Sequence, residues 1–107
     1  MAQRPTTKFS FKAVVIEWRG PAPYFYAPIP SEHAKAIRQA AKFVSYGWGV
    51  IPVVATIGAV QFTTSLFPKD GSYLLPLKDA VRRKISVTAG DAVQVEMMLG
   101  RGDDSQG

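Results

Sequence analysis

The chain contains no cysteine, and histidine occurs once in its 107 residues. The absence of cysteine excludes disulfides, thiol catalysis, cysteine-ligated zinc and iron–sulfur clusters. A single histidine excludes a metal site built from several histidines of one chain. We therefore expect neither a cofactor nor a bound metal, and the lack of cysteine fits a reducing compartment.

Long hydrophobic runs are also absent. The most apolar stretch, residues 48–62, is shorter than the ~20 residues that a membrane-spanning helix needs, and Pro52 interrupts it. The apolar residues 13–16 are too few for the core of a signal peptide, which takes ~7–15 residues. We expect a soluble, cytoplasmic protein without a membrane partner.

The composition is that of one globular domain. Hydrophobic residues make up 47% of the chain and charged residues 20%, which is enough apolar surface to form a core. A length near ~100 residues suits a single core. We expect a flexible N-terminus over residues 1–7, one domain over residues 8–99, and a disordered polar tail over residues 100–107.

The charge balance is basic. The formal net charge is +5, and residues 1–101 hold all 13 basic but only six of the eight acidic residues, a balance of +7. Such a surface favours polyanionic partners without naming one, and solubility alone is an equally simple explanation.

Alternating apolar residues predict an opening strand. Phe9, Phe11, Ala13 and Val15 occupy alternate positions. Over residues 14–16 the other face also becomes apolar, so we expect this strand to be buried on both sides there. A short aromatic strand follows at residues 24–27.

Two helices are predicted between the strands. Ser31 is a suitable N-cap for a helix with apolar residues at three- and four-residue spacing that ends near Val44. A second, shorter helix is expected from Pro76 through Lys84, with Leu77, Val81 and Ile85 on one face.

Turn signals separate the other strands. Gly58 divides residues 50–57 from 59–66 as a tight hairpin, and the Asp70-Gly71 pair marks a second hairpin before a short strand at 72–75. The last strand spans residues 92–99. We predict a mainly β fold, a small closed β-barrel of about six strands with two short α-helices, because closure would protect the edge strands.

The segment from Val53 to Val95 has a recognisable pattern, VVATIGAVQFTTSLFPKDGSYLLPLKDAVRRKISVTAGDAVQV. Its tight turn at Gly58, the FTTSLFP and GSY segments, LPLK, and the Gly90-Asp91 turn resemble the bacterial family called domain of unknown function nineteen-oh-five. The resemblance extends over about residues 8–99. It implies a small closed β-barrel with helical crossovers, and it implies no activity.

No catalytic constellation is visible. His33 lies in the first turn of the predicted helix, where the helix dipole disfavours a protonated base. Ser65 has no histidine after it and no lysine at the Ser-x-x-Lys spacing. We do not expect an enzyme, and one that uses Lys69 or two separated acids is the minor alternative.

A basic and hydroxyl-rich set in the second half of the chain is the candidate ligand site. Lys78 and Arg82 are four residues apart and share a helix face, which at one end of a barrel would form a cationic opening for phosphate or carboxylate. An ordinary solvated helix face is the competing interpretation. The candidate set is Thr63, Thr64, Ser65, Lys69, Tyr73, Lys78, Arg82 and Arg83.

Trp48 lies between Gly47 and Gly49, as either an aromatic platform or a core residue.

The function predicted is a small binding domain that holds a small anionic ligand at the barrel mouth. The alternative is a nucleic-acid-binding protein that uses a basic helix surface. The short helix and Gly-Asp turn are also similar to half of the swapped-hairpin barrel of bacterial transition-state regulators, which bind DNA as dimers. Monomer and homodimer both remain open.

Overall fold

The computed structural model describes residues 8–18, 24–44 and 51–100. These residues form seven strands, a short 3-10 turn at Ser31–His33 and two α-helices. The strands are β1 (Lys8–Val14), β2 (Ile16–Trp18), β3 (Tyr24–Pro28), β4 (Ile51–Ile57), β5 (Val60–Lys69), β6 (Ser72–Leu77) and β7 (Ala92–Leu99). The helices are α1 (Ala34–Val44) and α2 (Asp79–Ile85).

All seven strands pair antiparallel in one sheet, in the order β1-β7-β4-β5-β6-β3-β2. The sheet is an open half-barrel, with β1 and β2 as its two edges. The prediction of a mainly β fold with two helices is confirmed. The prediction of a closed barrel of six strands is wrong. The first predicted strand divides into β1 and β2, which pair with opposite ends of the sheet and have no ladder between them.

Hydrogen bonds to a neighbouring loop explain the division at Val15. Its backbone N–H donates to the Asp91 carbonyl at 2.8 Å, and its carbonyl accepts from the Gly90 N–H at 2.8 Å. Because both backbone groups are satisfied by the loop between α2 and β7, the chain leaves one ladder and enters another.

Burial on both sides near Val15 was also predicted, and this prediction is wrong. Val15 is only 1% exposed, but Val14 is 53% exposed and Ile16 is 39% exposed. The inward–outward alternation of the strand therefore continues through the bend. Within the described part of the chain, the outer side of this segment remains open to solvent.

The core lies on the inner side of the half-barrel, where α1 packs Ile37, Ala40 and Ala41 among the strand side chains. The described part of this helix reaches Val44, and the predicted end near that residue borders on residues 45–50, which lie outside the described residues. Its start differs, because Ser31 opens a 3-10 turn after Pro30 and no side-chain cap forms. Pro30, with φ near −55°, directs the chain into this tighter turn instead.

The second helix is shorter at its start than predicted. Leu77 belongs to β6, where it pairs with Phe25 of β3, so it does not share a helix face with Val81. Pro76 also lies within β6, opposite Tyr26. The helix ends at Ile85, and Ser86 follows in the left-handed conformation.

Both predicted hairpins are confirmed. Gly58 has φ +61°, and Asp70 and Gly71 have φ +52° and +79°, which is the sign pattern of a primed hairpin turn. The resulting register directs Phe62 and Leu66 of β5 toward the core. The odd-numbered residues of β5 therefore face outward, away from the core.

Candidate functional site

An aromatic pocket of about 240 Å³ lies on the outer face of the sheet, where β2, β3, β6 and β5 run side by side. Its lining residues are Trp18, Tyr26, Phe67, Lys69 and Leu74. Leu74 is buried and forms the floor, because β6 runs between the strands that carry Tyr26 and Phe67. Trp18 is 54% exposed and Phe67 is 52% exposed, so about half of each side chain remains accessible to a ligand.

The rings of the pocket contact one another. Tyr26 stacks on Phe67 with centroids 6.0 Å apart and an interplanar angle of 27°. Tyr24 meets Tyr26 edge to face at 5.2 Å. Such contacts hold the rings in place before a ligand arrives.

Burial raises the pKa of the Tyr26 phenol above its ordinary value of 10.0, and the nearby Tyr24 raises it further. Tyr26 therefore remains a neutral hydroxyl at neutral pH and is able to donate or accept a hydrogen bond at the pocket.

Lys69 supplies the positive charge at the rim of the aromatic pocket. Its Nζ lies 5.4 Å from the centroid of the Trp18 ring and 3.5 Å from the Asp70 carboxylate. The first contact is a cation–π interaction, and the second is an exposed ion pair of the kind that contributes little to stability.

A second cavity, of about 340 Å³, adjoins the β5–β6 turn, and we call it the turn cleft. Its lining residues are Arg38, Pro68, Lys69, Asp70, Gly71, Ser72 and Tyr73. Arg38 of α1 donates to the Gly71 carbonyl at 3.3 Å, and the Ser72 hydroxyl donates to the Ile29 carbonyl at 3.0 Å. Lys69 lines both cavities, so an aromatic surface and a cationic one meet at this side chain.

The eight predicted ligand residues do not all meet at one opening. Thr63, Ser65 and Lys69 share the outer face of β5, and Thr64 lies on its other face. Tyr73 pairs with Pro68, packs partly against the core and joins Lys69 in the turn cleft.

The helix residues of the predicted set lie at α2 and differ in their contacts. Arg82 places its guanidinium 3.6 Å from the centroid of the Phe25 ring and donates to Asp79 at 3.0 Å. It also donates to the Val87 carbonyl at 3.5 Å. Lys78 and Arg83 are exposed, so Arg82 is the one of the three that is held against the sheet.

Trp48, the predicted aromatic platform, lies outside the described residues, as do residues 1–7 and 101–107. The aromatic pocket was not predicted from the sequence. The sequence pattern that could have indicated it is the spacing of two residues between Ile16 and Trp18 and between Tyr24 and Tyr26. This spacing places each pair on one face of a strand. Nothing in the sequence places Phe67 beside Tyr26, because that contact depends on the strand order.

Residues 8–18, 24–44 and 51–100 contain a single histidine, and their two α-helices have 11 and 7 residues. No group of three or more metal-ligating side chains occurs there. His33 contacts the rings of Phe9 and Phe11 and lies 3.7 Å from the Glu32 carboxylate. No helix in these residues is long and apolar enough to cross a membrane.

A family model described as "Domain of unknown function (DUF1905)" matches residues 11–97, which is most of the chain. The chain belongs to the DUF1905 family. All the residues that line the aromatic pocket and the turn cleft lie within the matched range. No curated protein matches the chain in sequence. Membership of DUF1905 thus supports the resemblance predicted from the sequence, and it assigns no activity.

Proposed function

We propose that this DUF1905 chain is a non-catalytic binding domain for a small anionic ligand that carries a flat ring. The ring would occupy the aromatic pocket, and the anionic group would lie between Lys69 and the turn cleft. The observation that carries this proposal is the position of Lys69, which lines both cavities.

The aromatic pocket suits a flat ring for two reasons. Trp18 and Phe67 are each about half exposed, and planar ligands stack on such faces. The buried Leu74 floor is apolar, whereas the Tyr26 hydroxyl adds a polar group for orientation. Binding sites commonly combine an apolar surface with a few polar groups in this way.

The turn cleft suits an anion. Lys69 and Arg38 bring two cations to its lining, and the Ser72 hydroxyl lies beside them. The Asp70 carboxylate opposes an incoming anion, but its pair with Lys69 is exposed and of the kind that contributes little. A phosphate or carboxylate of the ligand would replace Asp70 as the partner of Lys69.

Of the ligand residues predicted at the barrel mouth, the proposed site retains Lys69 and Tyr73. The ligand itself lies closer to the aromatic pocket than was predicted. Arg82 is left out because its guanidinium already contacts Phe25, Asp79 and the Val87 carbonyl. Thr63 and Ser65 remain on the adjoining outer face of β5.

The test is a titration with adenosine 5′-monophosphate, with adenosine as the matched ligand that lacks the anion. Trp18 and Trp48 are the two tryptophans of the chain, so the variant Trp48→Phe makes fluorescence report on Trp18 alone. We expect the nucleotide to quench Trp18 saturably and adenosine to bind about tenfold more weakly, the effect of one charged contact.

The variant Lys69→Met should remove the preference for the nucleotide. Lys78→Met is the matched control, because Lys78 is an exposed lysine that lines neither cavity. Equal binding of nucleotide and nucleoside, or equal effects of the two variants, would contradict the proposal.

The alternative function is binding of nucleic acid by the exposed cations of α2, by a monomer or a homodimer. Lys78, Arg83 and Lys84 are exposed on or beside this helix. This alternative predicts that the affinity for duplex DNA falls steeply as the salt concentration rises. It would be supported if the double variant Lys78→Met/Arg83→Met weakened binding of the duplex and Trp18→Ala did not. Light scattering on the same samples would count the protomers.

A further inference from the structure

We infer that the ligand is a segment of single-stranded nucleic acid that lies along the outer face of β5. This inference rests on the proposed function, because the first nucleotide would occupy the aromatic pocket. The juxtaposition that supports it is a row of outward side chains that joins this pocket to another cavity on the same face. The row is Gln61, Thr63, Ser65, Phe67 and Lys69, which we call the outer row.

The outer row is long enough for several linked nucleotides. Alternate residues of a strand lie about 6.6 Å apart, so the row extends over about 26 Å. Gln61, Thr63 and Ser65 are exposed, and their hydroxyl and amide groups are types that commonly contact phosphate and sugar. The row itself contains no acidic residue.

A third cavity, of about 300 Å³, lies at the Gln61 end of the outer row. Lys8, Ser10 and Thr56 are among its lining residues, and Lys8 is exposed on the edge strand β1. Glu96 also lines it, and the Ser10 hydroxyl donates to that carboxylate at 2.8 Å. The outer face therefore has two separated lysines, Lys69 at one end of β5 and Lys8 on β1, level with Thr63 and three strands away, which matches a ligand whose negative charge repeats along its length.

Unpaired bases fit this face better than a duplex does. Stacking on Trp18 and Phe67 requires the flat side of a base, which is accessible only where the strand is unpaired. A cationic groove with stacking rings is the usual arrangement for sequence-tolerant binding of single strands. The net charge of +5 favours the same partner.

The experiment measures fluorescence anisotropy of labelled oligodeoxythymidylates of two, four and eight nucleotides, beside the titration with adenosine 5′-monophosphate. We expect affinity to rise with length and to exceed that for a duplex of eight base pairs. Contact of two phosphates with Lys69 and Lys8 predicts that binding weakens about sevenfold between 50 and 200 mM salt. Trp18→Ala should weaken the octamer roughly 5- to 150-fold.

Two charge variants separate this inference from the proposed function. Lys8→Gln should weaken the octamer severalfold and leave the mononucleotide unchanged, because Lys8 lines the third cavity and neither the aromatic pocket nor the turn cleft. Lys35→Gln, on the exposed side of α1, is the matched control and should change neither.

Four outcomes would overturn the inference. If the mononucleotide binds through Lys69 but affinity does not rise with length, the proposed function stands and the inference is wrong. If neither ligand binds, both are wrong. If Trp18→Ala leaves octamer binding intact, another surface binds it. If the free protein dimerises and Trp18→Ala abolishes the dimer, a second copy of the chain covers this face instead.

Discussion

Arg82 connects three parts of the molecule through one side chain. Its guanidinium lies on the Phe25 ring of β3, 3.6 Å from the centroid. Nη2 donates to Asp79 in the first turn of α2, and Nη1 donates to the Val87 carbonyl in the following loop. Its Nε is buried without a partner in the structure. These contacts indicate that Arg82 positions α2 against the sheet.

We therefore predict that Arg82→Met lowers the free energy of unfolding by about 1–2 kcal/mol, because a cation–π contact and charge-assisted hydrogen bonds are lost. Arg83→Met is the matched control and should change stability by less than about 0.5 kcal/mol, since Arg83 is exposed. Urea denaturation of both variants measures the difference. Equal losses would show that Arg82 has no such positioning role.

At the scale of elements, the β4–β5 hairpin determines which side chains of β5 face outward. The Gly58 turn sets the pairing of Ile57 with Val60 and of Val54 with Thr63. A slip of one residue would turn Phe62 outward and Thr63 inward, because side chains alternate along a strand. The outward position of the outer row and the inward position of the core side chains of β5 both depend on this turn.

We predict that Gly58→Ala lowers the free energy of unfolding by about 1–2 kcal/mol, because Gly58 has φ +61°. No atom lies within 4 Å of a Cβ built at this position, so the cost is conformational rather than steric. Gly58→Asn should cost less, since asparagine tolerates this conformation. Thermal unfolding of the two variants compares them, and a larger loss for Asn would refute the conformational explanation.

At the scale of the whole molecule, both ends of the sheet depend on one short segment. β1 pairs with β7 and β2 pairs with β3, and Val15 alone separates these two strands in the chain. Val15 is buried in the core and exchanges two backbone hydrogen bonds with the loop before β7. Loss of packing here should weaken both ends together.

We predict that Val15→Ala lowers the free energy of unfolding by about 2 kcal/mol, the effect of removing two buried methyl groups and leaving a cavity. Val14→Ala is the matched control, because Val14 loses the same atoms from an exposed position, and it should cost less than about 0.5 kcal/mol. Hydrogen exchange should show faster opening of β1 and β2 together in Val15→Ala. Protection lost from only one of these strands would contradict this coupling.

Local chemistry made much of the fold predictable from the sequence. The alternation from Phe9 to Val15 predicted an inward face, and Gly58 and Asp70-Gly71 predicted hairpins whose positive φ values are observed. The strand at residues 92–99 follows from the same short-range patterns. Each of these features depends on residues close together in the chain.

The strand order and the candidate site depended on contacts between distant residues. The division at Val15 is due to hydrogen bonds with Gly90 and Asp91, and the aromatic pocket joins Trp18 and Tyr26 to Phe67 across β6. The proposed site leaves Arg82 out because Phe25, far from it in the chain, contacts its guanidinium. The sequence by itself determined most strands and turns, the presence of two helices, and the inward face of the first strand. Only the tertiary structure decided which outward side chains meet, because strand order sets those neighbours.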